Sequence, residues 1–177
     1  MIGNDLTQKY LDEIMRFLGL TVFKQASFIE DTQQNTDIIM IESNRIRYAC
    51  RIRRFSYYKN YNFRNEFTIR SKTKYNKKTE IDKVLEGWGD FFIYGFENEC
   101  CNGLQKITVS DLAVFRKVYN EKMGSYHNNH DGTGFLSFRW DEFPSEFIVN
   151  KMEVEPVQNI IIKPLHKQPI FNQVSLF

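Results

Sequence analysis

The chain has 177 residues and a mass of 21.2 kDa, with 42 % apolar and 26 % charged residues, which suits one folded domain with a tail and excludes a disordered chain. No apolar run exceeds four residues, as in Ile38–Ile41 and Phe91–Tyr94, so a membrane helix of ~18 or more apolar residues is excluded. The net charge is only +2, yet from Arg45 to Lys83 thirteen basic residues stand against three acidic ones, a local +10 that leaves −8 for the remainder. Such asymmetry points to a polyanionic partner. The opening Met-Ile-Gly-Asn-Asp-Leu lacks a basic segment followed by an apolar one, and the three cysteines make no disulfide framework. Both features lead to the expectation of a cytoplasmic, reducing compartment.

In chain order, Leu6, Tyr10, Leu11, Ile14, Phe17 and Leu18 recur at helical spacing, so one helix is expected before Gly19. Leu20–Ile29 reads as a strand or a strand and turn. The run Ile38–Ile41 reads as a buried strand, Glu42-Ser43-Asn44 as a turn, and Arg45–Arg53 as an alternating strand. On that strand Ile46, Tyr48, Cys50 and Ile52 share one face, and Arg45, Arg47, Arg51 and Arg53 the other. Residues 37–53 are therefore expected to form a β-hairpin with an apolar back and an arginine front. Phe55–Arg64 reads as an aromatic and basic loop. Glu66–Ser71 reads as a strand with Phe67 and Ile69 inward and Thr68 and Arg70 outward.

A basic loop, 72–78, leads to Thr79, which caps a short helix carrying Ile81, Val84, Leu85 and Trp88. Strands are expected at Phe91–Phe96 and Ile107–Val109. A helix capped by Ser110 should run to about Lys122, followed by a polar loop from Gly124 to Gly134 and a last strand at Phe135–Trp140. Three of the four prolines lie beyond residue 150, so 1–150 is expected to be an α/β (α+β) domain, a mixed sheet flanked by helices, and 151–177 an extended tail.

An Asp opening a buried strand, then a turn and a second strand with two functional residues two apart, resembles the core of restriction-endonuclease-like folds. The resemblance implies that Asp37 and a carboxylate on the second strand hold Mg²⁺, with a lysine two residues on. Here Arg51 and Arg53 occupy those two positions. A guanidinium cannot be deprotonated and cannot ligate Mg²⁺, so the pair repels a metal and attracts phosphate. The expected result is a nuclease-like scaffold that has lost its metal site, or moved it to Asp37 with Glu42 or Asp90. Asp37 is equally suited to capping a turn amide, and the arginine face to a solvated strand.

A second resemblance rests on Thr36-Asp37-Ile38-Ile39, Arg47–Arg54, Glu66–Ser71 and Glu86-Gly87-Trp88-Gly89-Asp90. These strings are similar to those of small bacteriophage and prophage proteins, which implies a bacterial host cell. Aromatic residues are interleaved with the basic ones, a composition that suits single-stranded or distorted DNA or RNA: cations hold phosphates while exposed rings stack on bases. The expected contacts are Arg45, Arg47, Arg51, Arg53, Arg54, Tyr57, Tyr58, Lys59, Tyr61, Arg70, Lys72 and Lys74.

The chain closes on Gln173-Val174-Ser175-Leu176-Phe177, which resembles the pentapeptide that binds the DNA sliding clamp. The resemblance implies that Leu176 and Phe177 fill an apolar pocket while Gln173 hydrogen-bonds beside it. A C-terminal strand burying Leu176 and Phe177 is the alternative. Three functions stay open: a nucleic-acid-binding protein tethered to a bacterial or phage sliding clamp, a metal-dependent nuclease with a rearranged site, and an inhibitor of a host defence nuclease such as a CRISPR effector. His127-Asn128-Asn129-His130-Asp131 reads as a solvated turn rather than a metal site, and Cys100-Cys101 lacks ligand spacing.

Overall fold

Alternating and continuous apolar patterns in the chain resolve into two sheets that share one aromatic core. A computed structural model describes residues 6–19, 46–75 and 77–154, together with the backbone of two short strands at 23–25 and 38–40. Asp37, Glu42, Arg45, Gln173, Leu176 and Phe177 lie outside the described residues.

The chain begins with the helical segments α1 (Leu6–Lys9) and α2 (Leu11–Phe17). Strands β1 (Phe23–Gln25), β2 (Ile38–Met40) and β3 (Arg47–Arg53) follow. Two single-turn helices, α3 (Phe55–Tyr58) and α4 (Tyr61–Arg64), lead into β4 (Glu66–Lys72). Then come α5 (Glu80–Leu85), β5 (Phe91–Glu97), β6 (Leu104–Asp111) and α6 (Leu112–Val118). The hairpin β7 (Ser125–Asn128) and β8 (Gly134–Arg139) and the strand β9 (Ile148–Glu153) complete the described chain.

Among the described residues the larger sheet has the order β1-β2-β3-β5-β6-β9 and the smaller one β4-β8-β7. The fold is mixed α+β, as composition and pattern suggest. All pairings are antiparallel except β3 with β5. The expected hairpin is present: Ile38 pairs with Tyr48 and Ile39 with Arg47.

Strand β5 is a nearly continuous apolar run because both of its faces are covered. Ile93 packs with Tyr48, Ile52 and Ile107 beneath Tyr10, Ile14 and Met15 of the N-terminal helices. Phe92, Tyr94 and Phe96 face the other way, into a cluster with Phe67, Phe115, Phe138 and Phe147. Phe67 is the hub of that cluster, in ring contact with seven other aromatics, Trp140 nearest at 4.6 Å. Gly95 serves this strand by its small size, since a Cβ there would lie 2.8 Å from the Lys106 carbonyl oxygen.

Several expectations change. The first helix breaks at Tyr10, whose hydroxyl donates to buried Glu97 at 3.1 Å. The 55–64 loop is two helical turns. Asp111, not Ser110, caps α6 by accepting from the Ala113 and Val114 amides, and that helix ends at Val118. The 124–134 loop contains β7, and 135–140 is not the last strand. β9 pairs with β6 through Ile107↔Met152 and Lys106↔Glu153, running across the boundary expected at residue 150.

Candidate nucleic-acid interface

β3 alternates as expected, but its arginine face is not a free surface. β4 and α5 lie over it. Arg51 donates through Nη2 to Glu80 Oε2 at 2.5 Å and through Nη1 to Thr68 Oγ1 at 3.4 Å. The Arg51 and Glu80 side chains are only 21 % and 14 % exposed, and the same Glu80 oxygen also accepts the Arg70 amide at 2.8 Å. Arg47 donates its backbone amide and Nε to Asp90 Oδ2, at 2.8 and 3.3 Å, and Nη2 to Asp90 Oδ1 at 3.2 Å. Arg47 and Arg51 are thus held by internal carboxylates rather than displayed to phosphate. Asp90, a candidate for a displaced metal ligand, has both oxygens engaged by Arg47. Arg53 is bound by neutral partners, donating Nε to Tyr94 at 3.1 Å and Nη2 to Thr68 at 2.6 Å.

Arg53 lines a cleft of about 160 Å³ between the sheets. Pairing places Thr68 opposite Ser137, Arg70 opposite Phe135, and Phe135 opposite His127, so these side chains share one face of the smaller sheet. Phe135 and His127 stack with ring centroids 5.0 Å apart, and His127 Nε2 lies 3.0 Å from Ser137 Oγ. The lining also includes Tyr57 from α3 and Phe63 from α4, in ring contact at 5.9 Å. The Arg53 guanidinium lies 5.2 Å from the Tyr57 ring centroid. Glu66, Tyr94 and Phe96 complete the lining. The cleft is mostly aromatic, with one cation and one carboxylate.

Tyr57 and Tyr61 are exposed as expected, at 43 % and 65 %, and Phe63 is exposed beside them. Tyr58 is not a surface ring: it is 4 % exposed, sits in the core, and donates its hydroxyl to Glu153 at 2.8 Å. α3 turns it inward because one helical turn points neighbouring residues to different sides. Thr68, expected outward, is buried beneath the two arginines that bind it.

Arg54, Arg70, Lys72 and Lys74 are exposed and form no ion pair with a described residue. Lys59 pairs with Glu99 at 3.0 Å, but both side chains are well exposed, so the pair contributes little. Arg64 lies 4.9 Å from the Tyr61 ring centroid. Phe63, Arg64, Glu66, His127 and Phe135 were not among the expected site residues. His127 and Phe135 are brought together by the pairing of β7 with β8, which the Gly- and Asn-rich 124–134 segment conceals. Among the described residues no group of three or more His, Cys, Asp and Glu side chains is placed to hold a metal ion. No protein-family model matches the chain, and no curated protein or solved structure matches it significantly.

Proposed function

We propose that the chain binds single-stranded or locally opened DNA or RNA, its aromatic cleft taking one unstacked base while the basic side chains around it hold the strand. The observation that carries this reading is the cleft itself: Tyr57, Phe63 and Phe135 line a space together with the Arg53 cation, in a chain whose exposed Arg54, Arg70, Lys72 and Lys74 form no ion pair with a described residue. Every base has a π-face for such rings. At about 160 Å³ the cleft is smaller than the few hundred Å³ of drug-sized pockets, which suits one ring system. Phosphate contacts fall to Arg54, Lys59, Arg64, Arg70, Lys72 and Lys74, with Arg53 at the base.

The rest of the reading is a phage-type protein whose closing Gln173–Phe177 peptide docks on a bacterial or phage sliding clamp. The pairing of β2 with β3 supports a nuclease-like core that has lost its chemistry. The described part of that hairpin does not fit Mg²⁺: Arg51 stands where a carboxylate is needed, and Glu80 already neutralises it.

The test is fluorescence anisotropy with single-stranded nonamers. Tyr57→Ala is expected to lower affinity by about tenfold, the loss of one stacked base. Equal binding by both forms would remove the cleft from the interface. No binding by wild type would overturn the proposal and favour the inhibitor of a host defence nuclease. A Leu176→Ala/Phe177→Ala chain should lose sliding-clamp binding; retention would place the clamp contact elsewhere.

A further inference from the structure

The polar groups of the cleft are unevenly engaged. Thr68 Oγ1 accepts from both Arg51 and Arg53, and the Ser137 hydroxyl is matched with His127. Arg53 uses Nε and Nη2 internally, which leaves its Nη1 without a partner among the described residues. The Glu66 carboxylate feels the charge of its cross-strand partner Arg139, but takes no hydrogen bond and no ion pair among the described residues, and does not close onto Arg53 although both line one cleft. A donor and a charged acceptor thus line one largely aromatic cleft without pairing with each other.

A ring inserted between those walls removes water from Glu66. A carboxylate so desolvated is costly unless hydrogen bonds replace the water. Guanine offers two adjacent donors, N1–H and N2–H, which match a carboxylate in bidentate fashion, and next to them O6, an acceptor for Arg53. In adenine and cytosine the amino group is flanked by an acceptor nitrogen whose lone pair would face the carboxylate. In thymine and uracil N3–H lies between two carbonyl oxygens that repel it. We infer that the cleft selects guanine, with Glu66 reading its Watson–Crick donors and Arg53 Nη1 its O6. This rests on the nucleic-acid reading and adds a base preference to it.

The same guanine edge belongs to a free nucleotide, so the test has two arms. The first compares dT nonamers carrying dG, dA, dC or dT at the centre, with matching RNA nonamers. Wild type is expected to bind the guanine-containing strand about tenfold more tightly than the others, the scale of a good bidentate base contact. Glu66→Gln, nearly isosteric but without the charge and with only one acceptor, should bring that ratio to within about twofold. Equal affinities for all four bases in wild type, or an undiminished guanine preference in Glu66→Gln, would overturn the inference while leaving strand binding intact. The second arm titrates GMP: binding tighter than that of the guanine nonamer would reassign the cleft to free nucleotides and overturn the strand reading instead. Failure of every probe to bind would overturn both.

Discussion

At the scale of single residues, opposite fates befall side chains of one type in one segment. Tyr57 and Tyr58 are neighbours, yet one lines the cleft and the other is core. Arg51 and Arg54 are three apart, yet one neutralises Glu80 and the other faces solvent. Different substitutions should therefore fail differently. Arg51→Ala strands a largely buried carboxylate and is expected to cost about 3 kcal/mol of folding stability. Denaturant unfolding should show that loss, whereas Arg54→Ala should leave the unfolding midpoint almost unchanged and weaken strand binding. Phe67→Ala removes the hub of the aromatic cluster and should cost about 3–5 kcal/mol. A loss below about 1 kcal/mol at Phe67 would mean that the two sheets do not depend on one core.

Elements show how far local pattern reaches. α5 was legible because its signals are local: Thr79 accepts from the Asp82 amide, Asp82 accepts from the Thr79 amide at 2.8 Å, and Ile81 and Val84 form its buried stripe. The hydrogen bonds from the Thr79 side chain and backbone hold the Asp82 carboxyl below its ordinary pKa of 3.8. A carboxyl depressed in the folded state contributes stability that is present above its unfolded pKa and lost as pH falls through the folded value. Stability should therefore decline below about pH 4, and Thr79→Ala should remove about 1 kcal/mol at neutral pH together with part of that acid sensitivity. Thermal unfolding of both forms between pH 7 and pH 3 measures this.

β3 and β5 were legible for the same kind of reason, from alternation in one and a continuous apolar run in the other. β7 was hidden: its residues Ser125–Asn128 are all exposed and polar, and only pairing with β8 makes them a strand. β9 was hidden likewise, as an edge strand with few buried side chains. The cleft could not be read from spacing, because Arg53, Glu66 and Phe135 converge only once the smaller sheet lies over the larger. The pattern placed Arg47, Arg51 and Arg53 on one face correctly; it carried no information about β4 and α5 covering that face.

For the whole molecule, charge decides the account. The basic excess of the 45–83 segment is partly spent internally, since Arg47, Arg51 and Lys78 pair with Asp90, Glu80 and Glu86. What remains includes Arg54, Arg64, Arg70, Lys72, Lys74 and Lys77, with Lys59 weakly held. If those cations hold phosphates, binding releases counterions and must weaken with salt by a power of about 0.7 per contact on a single strand. The most direct measurement is the affinity of the full chain for a single-stranded nonamer as salt rises from about 50 to about 200 mM. With four to five of those contacts made, a roughly 50- to 130-fold loss is predicted over that range, with weaker binding to a duplex of the same sequence. An affinity that stays flat with salt, or a preference for the intact duplex, would contradict it.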